Sequence, residues 1–336
     1  MTLKMTRRQV LAASGSATMA LALGMHARPA FAAAPDGLEI IVGFAPGGGT
    51  DRSVRVIAPS WAEAMGLTSP VQYTYAPGAG TVIATRQMLA ARKDASVVNA
   101  IPIPYTAWTI ELGEGGYTLD DVTWIGSYFD DPNVLLVPKD SKYDTIDQFI
   151  EDARKTEKTV AVSAPMSASH AATVVLRETT GAKLKIVPFN GGSESRNAVA
   201  GGHVDSCMAP YWSATHVLDL TKAVGIFADE NPAPNLWQPV PVNKALGTQL
   251  PNLTEPYAMQ IATEAATNNP EIYQTMVTAL QQAATSQKTK EAAAANQSLD
   301  LFLKYRDPAN CSEFVRSYLG LLAQYRDAMQ ADLDSL

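Results

Sequence analysis

From Leu38 onward the chain alternates short, continuous apolar runs with amphipathic stretches, and this alternation constrains the fold more than any other feature. An apolar run too short for a helix reads as a strand covered on both faces, and the amphipathic stretch after it reads as a helix lying on the sheet. The predicted class is therefore α/β with mostly parallel strands. Strands are expected at 38–44, 71–75, 96–100, 133–137, 159–163, 183–187, 204–209 and 223–228. Helices fit between them. Thr145 with Gln148 resembles a capping box opening a helix at 146–155, and Asn269-Pro270 opens another running to Thr285. A helical period at 312–333 turns Phe314, Leu319, Leu322, Tyr325 and Met329 inward, and Trp61 and Trp124 read as core.

About 300 residues exceed what one hydrophobic core usually covers, so two α/β lobes are expected. Asp130-Asp131-Pro132-Asn133 reads as the passage into the second lobe. A proline-rich stretch at 232–252 precedes a strand at 257–261 that returns to the first. Two crossings make a hinge. The expected division is 33–130 plus 255–336 for one lobe and 131–254 for the other.

Residues 1–32 carry Lys4, Arg7, Arg8 and Arg28 and no acid, then a mildly apolar run and Ala30-Phe31-Ala32. That is the layout of an export signal, expected to be cleaved near Ala32. Thr6-Arg7-Arg8-Gln9-Val10-Leu11 resembles a twin-arginine signal, with a general secretory n-region as the competing reading. A periplasmic location follows from either route. Loss of four cations makes the exported chain more acidic than its formal net charge of −7, and without clustered Lys and Arg it is a poor candidate for nucleic acid.

The densest local signal is the strand and loop ending Gly43-Phe-Ala-Pro46-Gly47-Gly48-Gly49-Thr50-Asp51, which runs directly into a helix. Glycine lets backbone approach a ligand closely, and the first amides of a helix, at the positive end of its dipole, attract an anion. A P-loop would need Gly-Lys-Ser/Thr, and the dinucleotide fingerprint has another spacing. A turn needed only for tight packing is the competing reading, and Asp51 suits a cap better than an anion seat. Three more loops follow predicted strands: 75–81; 163–171, where Ser167 and Ser169 either cap a helix or face a ligand; and 187–193 with Asn190, Gly191 and Gly192. In an open α/β sheet such loops gather at one edge and can share a crevice.

Together, 42–51, Ala76-Pro-Gly-Ala-Gly80, Asn133-Val-Leu-Leu-Val137, Pro188-Phe-Asn-Gly-Gly192 and Ala200-Gly-Gly-His-Val-Asp205 resemble the extracytoplasmic solute receptors of tripartite tricarboxylate transporters, in order and spacing, across nearly all of the chain after residue 32. The resemblance implies a type II periplasmic-binding-protein fold, a cleft between two α/β lobes that closes on a small carboxylate, and delivery to membrane permease subunits. It places the first-lobe seat on Pro46, Gly47, Gly48, Gly49, Thr50 and Asp51, and second-lobe contacts on Ser167, Ser169, His170, Asn190, Gly191, Gly192 and Asp205. Three departures stand out. The turn Phe189-Asn190-Gly191-Gly192 lacks the usual cation, 164–167 replaces a glycine-rich segment, and 99–108 is bulkier and more apolar than usual. A hydrophobic or aromatic acid is expected to suit that wall better than citrate.

Tyr105, Trp108, Tyr211 and Trp212 flank predicted loops, and pocket lining and core packing are both open for them. The four histidines lack metal-ligand spacing, so no metal and no cofactor are expected. Ser169, His170 and Asp205 supply triad residue types, but neighbouring side chains rarely face each other and no Gly-x-Ser-x-Gly elbow is present. Cys207 and Cys311 are two thiols whose pairing sequence separation does not decide. The expected protein is a monomeric, non-catalytic receptor that holds its anion with uncharged dipoles. A ligand-sensing partner of a membrane sensor kinase, and an exported enzyme acting on a small acid, are the rivals.

Overall fold

The computed structural model describes residues 34–113, 115–251 and 253–334, so the proposed signal segment lies outside the described residues. In chain order the elements are β1 (Glu39–Val42), α1 (Gly49–Ala64), β2 (Gln72–Tyr75), α2 (Val82–Ala90), β3 (Val97–Pro102), α3 (Ile103–Glu111), β4 (Val122–Pro138), α4 (Ile146–Lys155), β5 (Lys158–Val162), α5 (Ala168–Thr180), β6 (Leu184–Pro188), α6 (Gly192–Ala200), β7 (Ser206–Pro210) and β8 (Thr221–Ile226). They continue with β9 (Val240–Pro241), α7 (Val242–Leu246), β10 (Thr254–Ala262), α8 (Thr263–Asn268), α9 (Pro270–Thr285), α10 (Gln287–Ala294), β11 (Leu303–Arg306), α11 (Pro308–Gln324) and α12 (Arg326–Asp334).

The strands follow the order β2-β1-β3-β10-β4-β7-β5-β6, with β11 and β8 also on β4. The α/β class is as expected; the predominance of parallel pairing is not. The pairs β1 with β2 and β3, and β5 with β6 and β7, are parallel. Both β10 and β4 run antiparallel to their neighbours. Their direction is fixed by long-range return of the chain, which local periodicity does not carry.

Asp130-Asp131-Pro132-Asn133, read from sequence as a passage between lobes, lies inside the 17-residue strand β4. The first part of β4 pairs with β10, up to Pro132 opposite Thr254, and the part from Asn133 pairs with β7 and β8. Pro132 lacks an amide just where the strand passes from one set of partners to the other, and Asn133 restores the connection by donating both its backbone amide and Nδ2 to Leu253 O, each at 3.0 Å. The expected helix at 312–333 is likewise divided, because Tyr325 leaves helical geometry (φ −110°, ψ 15°) between α11 and α12.

Where the apolar pattern is strong the elements match closely: α4 occupies 146–155, with Ile146, Phe149, Ile150 and Ala153 buried on one face. The main core joins Ile101, Trp108, Leu135, Phe149, Val160, Val175 and Val315. Trp61 and Trp124 are buried as expected. Cys207 and Cys311 are both buried free thiols. No helix among the described residues is long and apolar enough to cross a membrane.

Candidate functional site

The glycine loop after β1 passes into α1 at Gly49. The first intrahelical bond is Arg52 N–H to Gly48 O at 2.9 Å, so the amides of Gly49, Thr50 and Asp51 precede the ladder. Two amides just before them are already engaged: Gly47 N–H donates to Asp51 Oδ2 at 2.8 Å, and Gly48 N–H to Ala45 O at 3.3 Å. Asp51 is a loop staple. It also accepts from Arg55 Nε at 2.8 Å and the Tyr75 hydroxyl at 2.7 Å. Burial pushes its carboxyl up, but those three donors outweigh burial and hold it below its ordinary value.

Gly49 is where the helix start meets the strand crossing. A Cβ there would lie 2.5 Å from Ser213 Oγ and 3.1 Å from the Tyr257 hydroxyl, so only glycine permits this approach. Ser213 follows β7 and Tyr257 lies on β10, so the α1 terminus faces groups from both. From the same helix Arg52 stacks on Trp212 at 4.3 Å and donates to Gln297 Oε1 at 2.6 Å.

Beneath this contact lies a buried cluster of charges that the sequence does not announce. Asp131 is fully buried and accepts from Trp212 N–H at 2.7 Å, Ser213 N–H at 3.0 Å and Ser213 Oγ at 2.8 Å. Glu255 sits directly across the β4–β10 ladder from Asp131, and like charges in that register repel. Burial, with Asp131 adding to it, pushes the Glu255 carboxyl up to about 8. Burial also raises Asp131, to about 6, against the pull of its three donors. Of the two, Asp131 is the one built to carry the negative charge.

Arg196, on α6, is the most deeply buried cation of this cluster, and Arg52 also feels Asp131. Only 5% of Arg196 is exposed, and its Nε has no hydrogen-bond partner. Burial lowers its pKa, while the fields of Cys207, Tyr257 and Asp131 favour the charged form. Sequence reasoning misses it because an arginine in a polar helix usually faces solvent. A signal is present: Arg196 is four residues after Gly192, hence on the same helix face as the turn that lacks a basic residue.

The remaining expected residues divide. Gly191 caps α6 and Gly192 begins it, both half-buried, whereas Asn190 is exposed, its amide donating to Glu194 Oε2 at 3.3 Å. Tyr105 is buried against Phe44, ring centroids 5.1 Å apart, and its hydroxyl feels Glu255, Ser163 and Arg196. Pro46 and Gly47 are exposed at the loop tip.

Ser167 caps α5, accepting from His170 N–H at 3.1 Å and donating to Ala164 O at 2.8 Å. Ser169 Oγ accepts from Ser163 N–H at 3.2 Å and lies 2.8 Å from Ser167 Oγ. Both side chains are consumed in shaping their own loop. His170 is buried, its Nδ1 accepting from Met166 N–H at 3.0 Å, its Nε2 3.5 Å from Asp332 Oδ2, and its ring stacked on Trp108. Asp205 lies at the far end of β5 from Ser163, accepting from Thr159 N–H at 2.8 Å and Thr159 Oγ1 at 2.7 Å. A cavity of about 340 Å³ is lined by His170, Ile186, Pro188 and Asp332, and neither Gly49 nor any of Asp131, Arg196 and Glu255 lines it.

The profile of the family described as tripartite tricarboxylate transporter family receptor (TctC) matches residues 54–310. Over 216 residues the chain is 28% identical to the UPF0065 protein in gbd 5'region of Cupriavidus necator, covering 62% of this chain and 65% of that protein. It therefore spans just under two thirds of that relative. The structure of periplasmic binding protein BugD superposes with a TM-score of 0.72 at 20% identity, over 86% of this chain and 97% of that one. MatC from Rhodopseudomonas palustris with bound malate gives 0.70 at 20% identity, over 87% and 98%. The fold is that of these periplasmic binding proteins.

Proposed function

We propose that this chain, which belongs to the tripartite tricarboxylate transporter receptor family, captures a small organic carboxylate outside the cytoplasm and delivers it to that transporter's membrane permease. The observation that carries the reading is the start of α1, where the amides of Gly49, Thr50 and Asp51 stand ahead of the helical ladder and against groups of β10 and the segment after β7. Amides ahead of the helical ladder, at the positive end of the helix dipole, are donors that an anion requires once its water is removed. Each such donor to a charged acceptor contributes about 1.5–3 kcal/mol, enough in sum to offset carboxylate desolvation.

The two halves, 33–130 with 255–336 and 131–254, act in this reading as lobes that close over the acid, with β4 and β10 as the connections. Segment 1–32 directs export to the periplasm. Closure supplies the signal to the permease through contacts that differ between the open and closed forms. The protein binds its acid without transforming it, since the seryl and histidyl side chains that superficially suggest a triad are spent on internal bonds of the α5 loop.

Native mass spectrometry of protein purified without denaturation tests the proposal, followed by thermal unfolding against malate, citrate, adipate and benzoate. At 100 times its dissociation constant a ligand adds about 2.7 kcal/mol. A protein that carries no acid and responds to none of the four would refute it.

A further inference from the structure

We propose that Arg196 is the ligand-binding cation of this receptor, receiving a carboxylate of the captured acid at the N-terminus of α6. The inference rests on the carboxylate-receptor reading above and names a residue, and a charge, which that reading does not need. Three independent observations support it.

The first is position. The guanidinium folds back along its own helix onto Gly192, where a Cβ would come within 2.5 Å of Nη1, so the charge sits at the first turn of α6 rather than beside Arg196's own backbone. A cation there meets the positive end of the helix dipole, an unfavourable juxtaposition that an anion turns into two converging attractions. The second is an unmet need. The residue is 95% withdrawn from solvent, its Nε lacks a partner, and it forms no ion pair among the described residues. A buried charge without a counter-ion is costly, and a bidentate carboxylate is the group that fits a guanidinium.

The third is that the acids nearby leave the cation available. Asp131 is occupied by three donors from Trp212 and Ser213. Glu255, held opposite Asp131, keeps its proton at neutral pH because burial raises its pKa to about 8. Arg196 thus feels the field of Asp131 but has no acid hydrogen-bonded to its guanidinium among the described residues. It also returns to the Phe189-Asn190-Gly191-Gly192 turn the basic group absent from its sequence.

The test is calorimetric titration of the full exported chain with malate, adipate and benzoate, comparing wild type with Arg196→Met, Arg196→Lys and Gly192→Ala. Arg196→Met should weaken the best of these acids on the order of tenfold to a hundredfold, the loss of a charge-assisted pair. Arg196→Lys should restore part of the loss, because the charge remains without the planar fork. Gly192→Ala should weaken binding with the arginine intact, by displacing its flexible end.

Arg Nε–H resonances of the wild type give a measure that does not depend on any variant's folding: one signal, assigned by its disappearance in Arg196→Lys, should move on saturation with the acid. Unchanged affinity in Arg196→Met and an unmoved resonance, in a protein that does bind one of the acids, would overturn the role of Arg196 and leave the receptor reading standing. A wild type that binds none of them overturns both.

Discussion

Replacing Glu255 by glutamine should change the pH dependence of stability more than any other single substitution at the strand crossing. The carboxyl moves from an ordinary value of 4.5 to about 8 on folding, because it is buried opposite Asp131. Between those values the folded form retains a proton that the unfolded form releases. The unfolded state therefore binds fewer protons, and stability is complete below about pH 4.5 and falls as pH rises towards 8. At about 1.36 kcal/mol per pH unit, flattening as the folded form titrates, the loss between pH 6 and 8 is a little over 2 kcal/mol. His216 works in the opposite sense, since burial lowers its pKa, but it is common to both proteins and cancels in the comparison. Glutamine keeps the shape and hydrogen-bonding capacity while removing the titration and the repulsion from Asp131. Urea unfolding followed by tryptophan fluorescence at pH 6, 7 and 8 reads the difference: wild type should lose a little over 2 kcal/mol relative to Glu255→Gln across the interval. Parallel pH profiles would refute the claim that Glu255 carries a proton in the folded protein.

Three further outcomes follow from the same geometry. Gly48 caps α1 with extended backbone (φ −70°, ψ 173°), but a Cβ there lies 3.2 Å from Ala45 O, so Gly48→Asp should cost about 1 kcal/mol of stability as that turn shifts while its carboxylate occupies the amides ahead of it; thermal-shift titration should then show no response to acids, and a full response would discard the α1 seat. His170→Phe keeps the stack on Trp108 but strands the Met166 amide, so chemical denaturation should record a loss of about 1–3 kcal/mol with acid affinity unchanged, whereas a selective loss of affinity would return His170 to the site. Cys207 and Cys311 are buried, with burial pushing both thiols up to about 12, so Ellman's reagent should find neither in the native protein and both after denaturation.

How much of the molecule is legible from sequence differs by element. The helix at 146–155 is legible because its apolar residues recur at helical spacing and nothing distant competes with them. The glycine loop at 46–49 is legible as a strand-to-helix turn because glycine has few other reasons to cluster there. At Asp130-Asp131-Pro132-Asn133 the sequence shows a passage but not that it is continuous strand, nor what its side chains hold, because both depend on partners far away in the chain. In the folded chain Asp131 serves Trp212 and Ser213, more than eighty residues away.

The candidate site divides along the same line. Ser167, Ser169, His170 and Asp205 have residue types suited to a ligand, yet their bonds run to their own loop, to Asp332 or to Thr159. Arg196 and Glu255, which local pattern passes over as ordinary polar residues, are buried together where α6 meets the two crossing strands. Hydrophobic periodicity and glycine placement, both properties of neighbouring residues, determined the α/β class and most element positions. Which charges lose their water and face one another is decided by pairing between strands far apart in the chain, and only the tertiary structure holds that information.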